Sequence, residues 1–275
     1  FPFVFTNFDD DTGGNWSIHA RILPYLEQGN VYQDVDFSRG YDSSTLGDGT
    51  PVKTLRIGAY LCPDELHDTQ RLSSGQPNHY PLNYGFNLGV WKVYDPAYDA
   101  GGDGAFYPNS ALRPAAMVDG LSSTLMVAEV KAYTSYVRNG GTADATVPTQ
   151  PSTVAALGGD QKLGVQLMQN TGHTEWVDGR AHQIGFTTVF TPNTEVPLVV
   201  GGETYDIDWT NQQEGKSATT ITYAAITARS YHPQLVNVAM MDGSVHTVSN
   251  TIDRNVWQSL STRSGQEAIT DGPLQ

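Results

Sequence analysis

The stretch NVAMMDGSVHTV at residues 237–248 constrains the fold of this chain more than any other. Two alternating apolar runs flank an Asp-Gly pair. That pair is favoured in two-residue hairpin turns, where both central positions take positive φ. With Asp242 and Gly243 as the loop residues, Met240 faces Val245 and Val238 faces Thr247, while Ala239 lies opposite His246. Val238, Met240 and Val245 are then expected on the buried face of an antiparallel pair. On this reading Asp242 serves turn geometry rather than chemistry, and His246 is partly exposed.

The flanks of the hairpin extend the pattern. His232 precedes Pro233, which pushes it to an extended backbone at the strand entrance, where a histidine more often bonds nearby backbone than acts as a ligand or base. After the hairpin, Asp253 reads as an N-cap, with Val256, Trp257 and Leu260 as the apolar stripe of a short helix that Ser264-Gly265 ends. Near the start, Ile18, Ile22 and Leu26 recur at helical spacing, with Asn15 or Ser17 as cap, Pro24 as a kink and Gly29-Asn30 as the stop. A short buried strand is expected at residues 59–62, closed by Pro63, and another at TLMVAEV after the Asp119-Gly120 turn. A helix is expected over about 159–169, with Leu163 and Leu167 one turn apart. Between them, aromatics alternate with Gly, Pro and Asp, as in short strands joined by tight turns.

Apolar residues make up 39% of the 275 positions and charged residues 16%, a mix that favours turns and strands over exposed helices. The expected class is α+β: mainly antiparallel β with a few short helices, as one domain over 1–275 with a loop-rich insertion around 133–230. The net charge of −14 repels phosphate backbones and argues against nucleic acid as a partner. Cys62 is the only cysteine, so neither an internal disulfide nor a cysteine-based zinc cluster can form. Beside Pro63 in an apolar run, it reads as buried rather than reactive. No stretch approaches the ~18 apolar residues of a membrane span. A first residue of Phe1 rather than Met suggests a processed or trimmed product.

Catalytic patterns are weak. There is no Gly-x-Ser-x-Gly elbow, no phosphate-binding glycine loop and no His-Glu-x-x-His helix. GHTEWVDGRAH offers His173, Glu175, Asp178 and His182, but the Pro-Cys-x-x-Cys of a zinc deaminase is missing, and these read as loop residues packed around Trp176. The best cation candidate is NFDDDTGGN, where Asn7, Asp9 and Asp11 alternate as oxygen ligands for calcium. Thr12 intervenes before Gly13 and Ile18 stands where an EF-hand has its bidentate Glu, so a solvated acidic loop is the default reading. Asp99 and Asp103 in DAGGDG are a weaker second candidate.

Several segments together resemble the DUF1559 (SBP_bac_10) family, abundant in planctomycete bacteria. They are ILPYLEQGNVY, YLCPDE, MVDGLSSTLMVAEV, GHTEWVDGRAHQIGFTTVFTPN, a His-x9-Asp-Gly motif formed by His232 with Asp242-Gly243, and LSTRSGQEAI. Family members usually begin with a prepilin-like leader and a long apolar helix, followed by a Phe-Pro pair such as Phe1-Pro2. The resemblance implies a pilin-like head domain of an extracellular or cell-surface protein. Such a protein would assemble with copies of itself and reach a membrane only through the missing helix. It would need no cofactor, calcium being optional, and would have no enzymatic activity. The alternative is an extracellular module binding calcium or a carbohydrate, the latter through Tyr80, Tyr84, Trp91, Tyr94, Tyr98 and Tyr107; a hydrolase stands third.

Overall fold

The structure, a computed structural model, describes residues 15–164 and 171–266. Its chain entry follows from local chemistry. The Ser17 hydroxyl accepts from the Ala20 amide at 3.1 Å and caps the helix Ile18–Ile22. Pro24 has no amide hydrogen, so the α ladder tightens into a 3-10 turn, Leu23–Leu26, that ends at Glu27 in the left-handed region (φ 59°). Gly29 then begins a second helix, Gly29–Gln33, instead of ending the first. The strand expected at 59–62 is also a 3-10 turn, Gly58–Tyr60. The Tyr60 amide bonds the Ile57 carbonyl at 2.9 Å, so the backbone closes on itself rather than on a neighbouring strand.

The strands, in chain order, are β1 (Arg71–Ser73), β2 (Gln76–His79), β3 (Tyr84–Asn87), β4 (Lys92–Asp95), β5 (Ala100–Gly101), β6 (Leu125–Glu129) and β7 (Ser135–Arg138). They continue with β8 (Asp160–Lys162), β9 (Gly185–Phe186), β10 (Pro197–Val200), β11 (Glu203–Thr210), β12 (Thr222–Ala225), β13 (Leu235–Met240) and β14 (Val245–Ser249). Five of them form a sheet in the order β14-β13-β6-β3-β9, antiparallel except for the β3–β9 pair. A larger sheet runs β5-β4-β12-β11-β7-β8, with β10 added to β11 and a parallel β7–β11 pair. This arrangement of sheets with short helices is the expected α+β class.

The 159–169 region departs from the helix expected there. Gly158 and Gly159 both have positive φ, and a Cβ on Gly159 would stand 2.5 Å from the Arg138 carbonyl oxygen. That close approach lays β8 along β7 as a strand; residues 165–170 lie outside the described residues.

The hairpin is present with a different register. Ala239 pairs with Val245 and Val238 with His246. The Gly243 amide bonds Met240, and Met240 bonds Ser244, so the loop is the three residues 241–243. Only Gly243 of the Asp-Gly pair has positive φ (+87°). One extra loop residue moves every partner by one. Val236, Val238 and Met240 face the core as expected, but Val245 is 72% exposed and Val248 takes the buried place across from Val236.

β4 and β12 divide two apolar clusters. Val93, Tyr94 and Ala224 face the larger one, which holds Trp16, Leu23, Leu82, Leu125, Met240 and Trp257. Trp91, Tyr223 and Ala225 face the smaller one, where Trp91 stacks on Trp209 with ring centroids 5.6 Å apart. Strands covered on both faces read as continuous apolar runs rather than alternation, as TYAA does.

Candidate functional site

Three stretches far apart in sequence meet at the end of β6. Cys62 follows the Gly58–Tyr60 turn, and its amide is held at 3.1 Å by the Asn83 side-chain oxygen. Glu129 is the last residue of β6 and is buried, its Oε2 accepting from the Asn237 amide of β13 at 2.7 Å and its Oε1 from the Asn237 side chain at 3.1 Å. His232 lies just before β13, with its own amide donating to the Ser230 hydroxyl at 3.1 Å.

The His232 ring joins all of these. Nδ1 lies 2.9 Å from Asp64 Oδ2, while Nε2 lies 3.1 Å from Glu129 Oε1 and 3.6 Å from Cys62 Sγ. Burial pushes the Cys62 thiol pKa up, and the Glu129 carboxylate adds to that. Tyr84 borders the cluster; burial, then Cys62 and Glu129, raise its phenol to about 12. Cys62 is half-buried rather than buried, and the His232 side chain is 23% exposed, so solvent reaches the cluster. A thiol, an imidazole and a carboxylate are thus gathered where they can share a proton or a cation. Among the described residues, they form the group of His, Cys, Asp and Glu side chains close enough to share one ion.

A second polar network is sealed inside. His173 Nδ1 lies 3.0 Å from the Gln183 carbonyl and Nε2 3.5 Å from Asp208 Oδ2. Arg229 pairs with Asp208 and forks onto Asp206 at 2.9 and 3.0 Å. Burial alone would raise the Asp208 pKa; Arg229 and His173 hold it below the usual carboxylate range. Glu175 pairs with Arg71 and approaches His79 at 3.4 Å, and Asp178 pairs with Arg180 at 3.1 Å. His182 stacks on Tyr136 at 4.6 Å, and burial lowers its pKa well below normal. Burial likewise brings His79 to about 3 and lifts Glu214, which accepts from the Ala181 amide at 3.2 Å, to about 7. The residues of GHTEWVDGRAH up to Arg180 are loop residues packed in the interior with Trp176, and the turn there closes over Glu175–Asp178 instead of at an Asp-Gly pair.

The remaining sequence candidates separate. His232 and Asp242 sit at opposite ends of β13. Asp242 Oδ1 accepts from the Ser244 amide at 2.9 Å and its hydroxyl at 2.7 Å, which lowers the Asp242 pKa and closes the turn. Asp99 accepts from the Tyr94 hydroxyl at 2.6 Å, and Asp103 from the Val90 amide at 2.9 Å, so both carboxylates hold loops. Asn7, Asp9 and Asp11 lie outside the described residues. Of the aromatics proposed to hold a carbohydrate, Tyr80, Trp91 and Tyr94 are buried in the core, while Tyr98 is exposed. Sequence reasoning missed Cys62, Asp64 and Glu129 as companions of His232. The available signal was that YLCPDE and LMVAE each end on chemically active residues.

The family model SBP_bac_10, described as a protein of unknown function (DUF1559), matches residues 1–255, and the chain belongs to this family. No curated protein and no solved structure matches it significantly.

Proposed function

We propose that this chain is the head domain of an exported, pilin-like subunit that assembles with copies of itself at or beyond the cell surface and catalyses no reaction. The observation that carries this reading is the use made of the segment from His232 to Gly243. Its histidine ties the 62–64 loop to the end of β6, and its Asp-Gly pair closes the hairpin, so both ends of β13 serve architecture. His173, Glu175, Asp178 and His182 support it, because they are spent inside the protein where no substrate reaches them. At the other site Glu129 Oε1 already occupies Nε2 of His232, which leaves that ring poorly placed to activate the Cys62 thiol.

β14 ends the five-stranded sheet, and its outward side chains, Val245 among them, are exposed. An edge of this kind can be extended by a strand of another copy. At −14, copies repel at long range, so contacts need apolar or cation-bridged patches. Membrane contact in this reading comes only from an apolar helix preceding the domain, and nucleic acid is not a partner. The test is expression of the chain behind a prepilin-type leader and helix in a host that processes prepilins, followed by electron microscopy of the surface. Filaments or ordered surface arrays labelled by an antibody to this domain are expected. Dispersed monomers, together with turnover of an ester, peptide or glycoside by the isolated chain, overturn the reading.

A further inference from the structure

We propose that Cys62, Glu129 and His232 bind one divalent transition-metal ion of the zinc class, with a fourth position open to solvent. Their donor atoms all lie within 4.8 Å of one another. A tetrahedral zinc ion has bonds of ~2.3 Å to sulfur, ~2.0–2.1 Å to nitrogen and ~2.0–2.2 Å to oxygen, which sets a sulfur–nitrogen edge of ~3.6 Å and a nitrogen–oxygen edge of ~3.4 Å. The corresponding separations are 3.6 Å and 3.1 Å. Two of the three edges already have nearly the lengths of such a site, the third lies within 4.8 Å, and the ion replaces the protons shared along them.

The surroundings hold each ligand in place. Asp64 lies against Nδ1 of His232, a carboxylate–imidazole arrangement that fixes the ring and turns Nε2 toward the ion. Asn237 makes two hydrogen bonds to Glu129, and Asn83 secures the backbone of Cys62. A thiolate with an imidazole selects a borderline-soft ion over calcium or magnesium, which prefer all-oxygen sites. The order Cys62, His232, Asp64 also resembles a thiol nucleophile with its base and orienting acid. Glu129 decides against that use, since its carboxylate stands nearer to Nε2 than the sulfur does. A bound ion would join segments around residues 62, 129 and 232, and would stabilise the fold by mass action.

The test uses the chain freed of metal by a chelator and titrated with cobalt(II), then zinc(II). One equivalent of cobalt should give a thiolate-to-cobalt charge-transfer band that zinc abolishes, and zinc should raise the Tm in proportion to the logarithm of its concentration. Cys62→Ser should lose the band. Asp64→Asn, at a side chain that is 59% exposed, should keep the fold and weaken cobalt binding about 10- to 100-fold. His246→Asn should bind as the parent does. The proposal is overturned by absence of the band in the parent chain, by a band that survives Cys62→Ser, or by a Tm indifferent to zinc. Unchanged affinity in Asp64→Asn, or alkylation of Cys62 that saturating zinc does not slow, also overturns it. The Asp64 variant keeps the test decisive even where serine at position 62 prevents folding.

Discussion

His173 and His232 each meet a carboxylate, in opposite surroundings. Around His173 the partners are sealed away: Asp208 is buried, Arg229 neutralises it, and Gln183 holds the ring's other nitrogen. Around His232 the ring stands between two carboxylates and a thiol, within reach of solvent. The same residue types therefore do different work. Enclosed and charge-balanced, they hold β11 to the segments around His173 and Arg229. Open and rich in donors, they are available to a ligand. The distinction comes from burial and from whether a cation of the chain itself already occupies the site.

The comparison breaks most directly at Arg229. Arg229→Met leaves Asp208 charged and unpaired in the interior, with an expected loss of about 3–5 kcal/mol in chemical denaturation. A loss below about 1 kcal/mol would mean that the sealed network is not what holds this region.

Titration sharpens it next. Burial lowers His79 to about 3 and His19 to about 4, so between those values and 6.5 the unfolded chain binds more protons and stability falls as pH falls. Glu214 works the other way. Raised from 4.5 to about 7, it holds its proton in the folded state, so its contribution is complete below 4.5 and is lost as pH rises through 7. That contribution is on the order of 3 kcal/mol. His182, which burial also holds below its ordinary value, adds to these two, so the histidines outweigh the one carboxyl and stability rises with pH up to about 6.5. In Glu214→Gln, thermal stability should rise more steeply than the parent's between about pH 5 and 6.5, whereas an equal slope would show that Glu214 does not hold its proton there.

A smaller effect separates the hairpin from the open cluster. Gly243→Val forces a β-branched residue to φ +87° and should cost roughly 1–2 kcal/mol. The cobalt band at Cys62 should persist in that variant, because the turn and His232 lie at opposite ends of β13. Smallest is His232→Asn in the metal-free chain. Its hydrogen bonds are half-exposed, and their loss should cost about 1 kcal/mol in urea unfolding. A cost near that of Arg229→Met would erase the distinction between the two regions.

Much of the architecture was legible where local rules dominate. The hairpin, the strand TLMVAEV, the Ser17 and Asp253 caps and the apolar positions of β13 followed from turn chemistry and alternation. The register did not, because Asp-Gly serves a two-residue loop and a three-residue loop with a bulge almost equally well, and only the strand pairing decides between them. The expected helix at 159–169 gave way to β8 because the Gly158-Gly159 pair brings the chain against Arg138, a contact between distant segments. His232 was visible as one residue. Its companions were not, since positions 129 and 232 meet through the pairing of β6 with β13, and positions 62 and 64 are brought to them through Asn83 beside β3.

That pairing also governs when the chain can fold. β6 lies between β3 and β13, so about a hundred residues separate it from one of its two neighbours, and β4 waits longer still for β12. A chain emerging from its N-terminus has no partner for the inner side of β6 until residue 240 is available, and its larger apolar cluster lacks Val236 and Met240 until then and Trp257 for longer still. Closing such long loops is slow compared with local helix formation. A nascent chain of this kind stays loose through most of its synthesis. It becomes compact only once its last strands arrive.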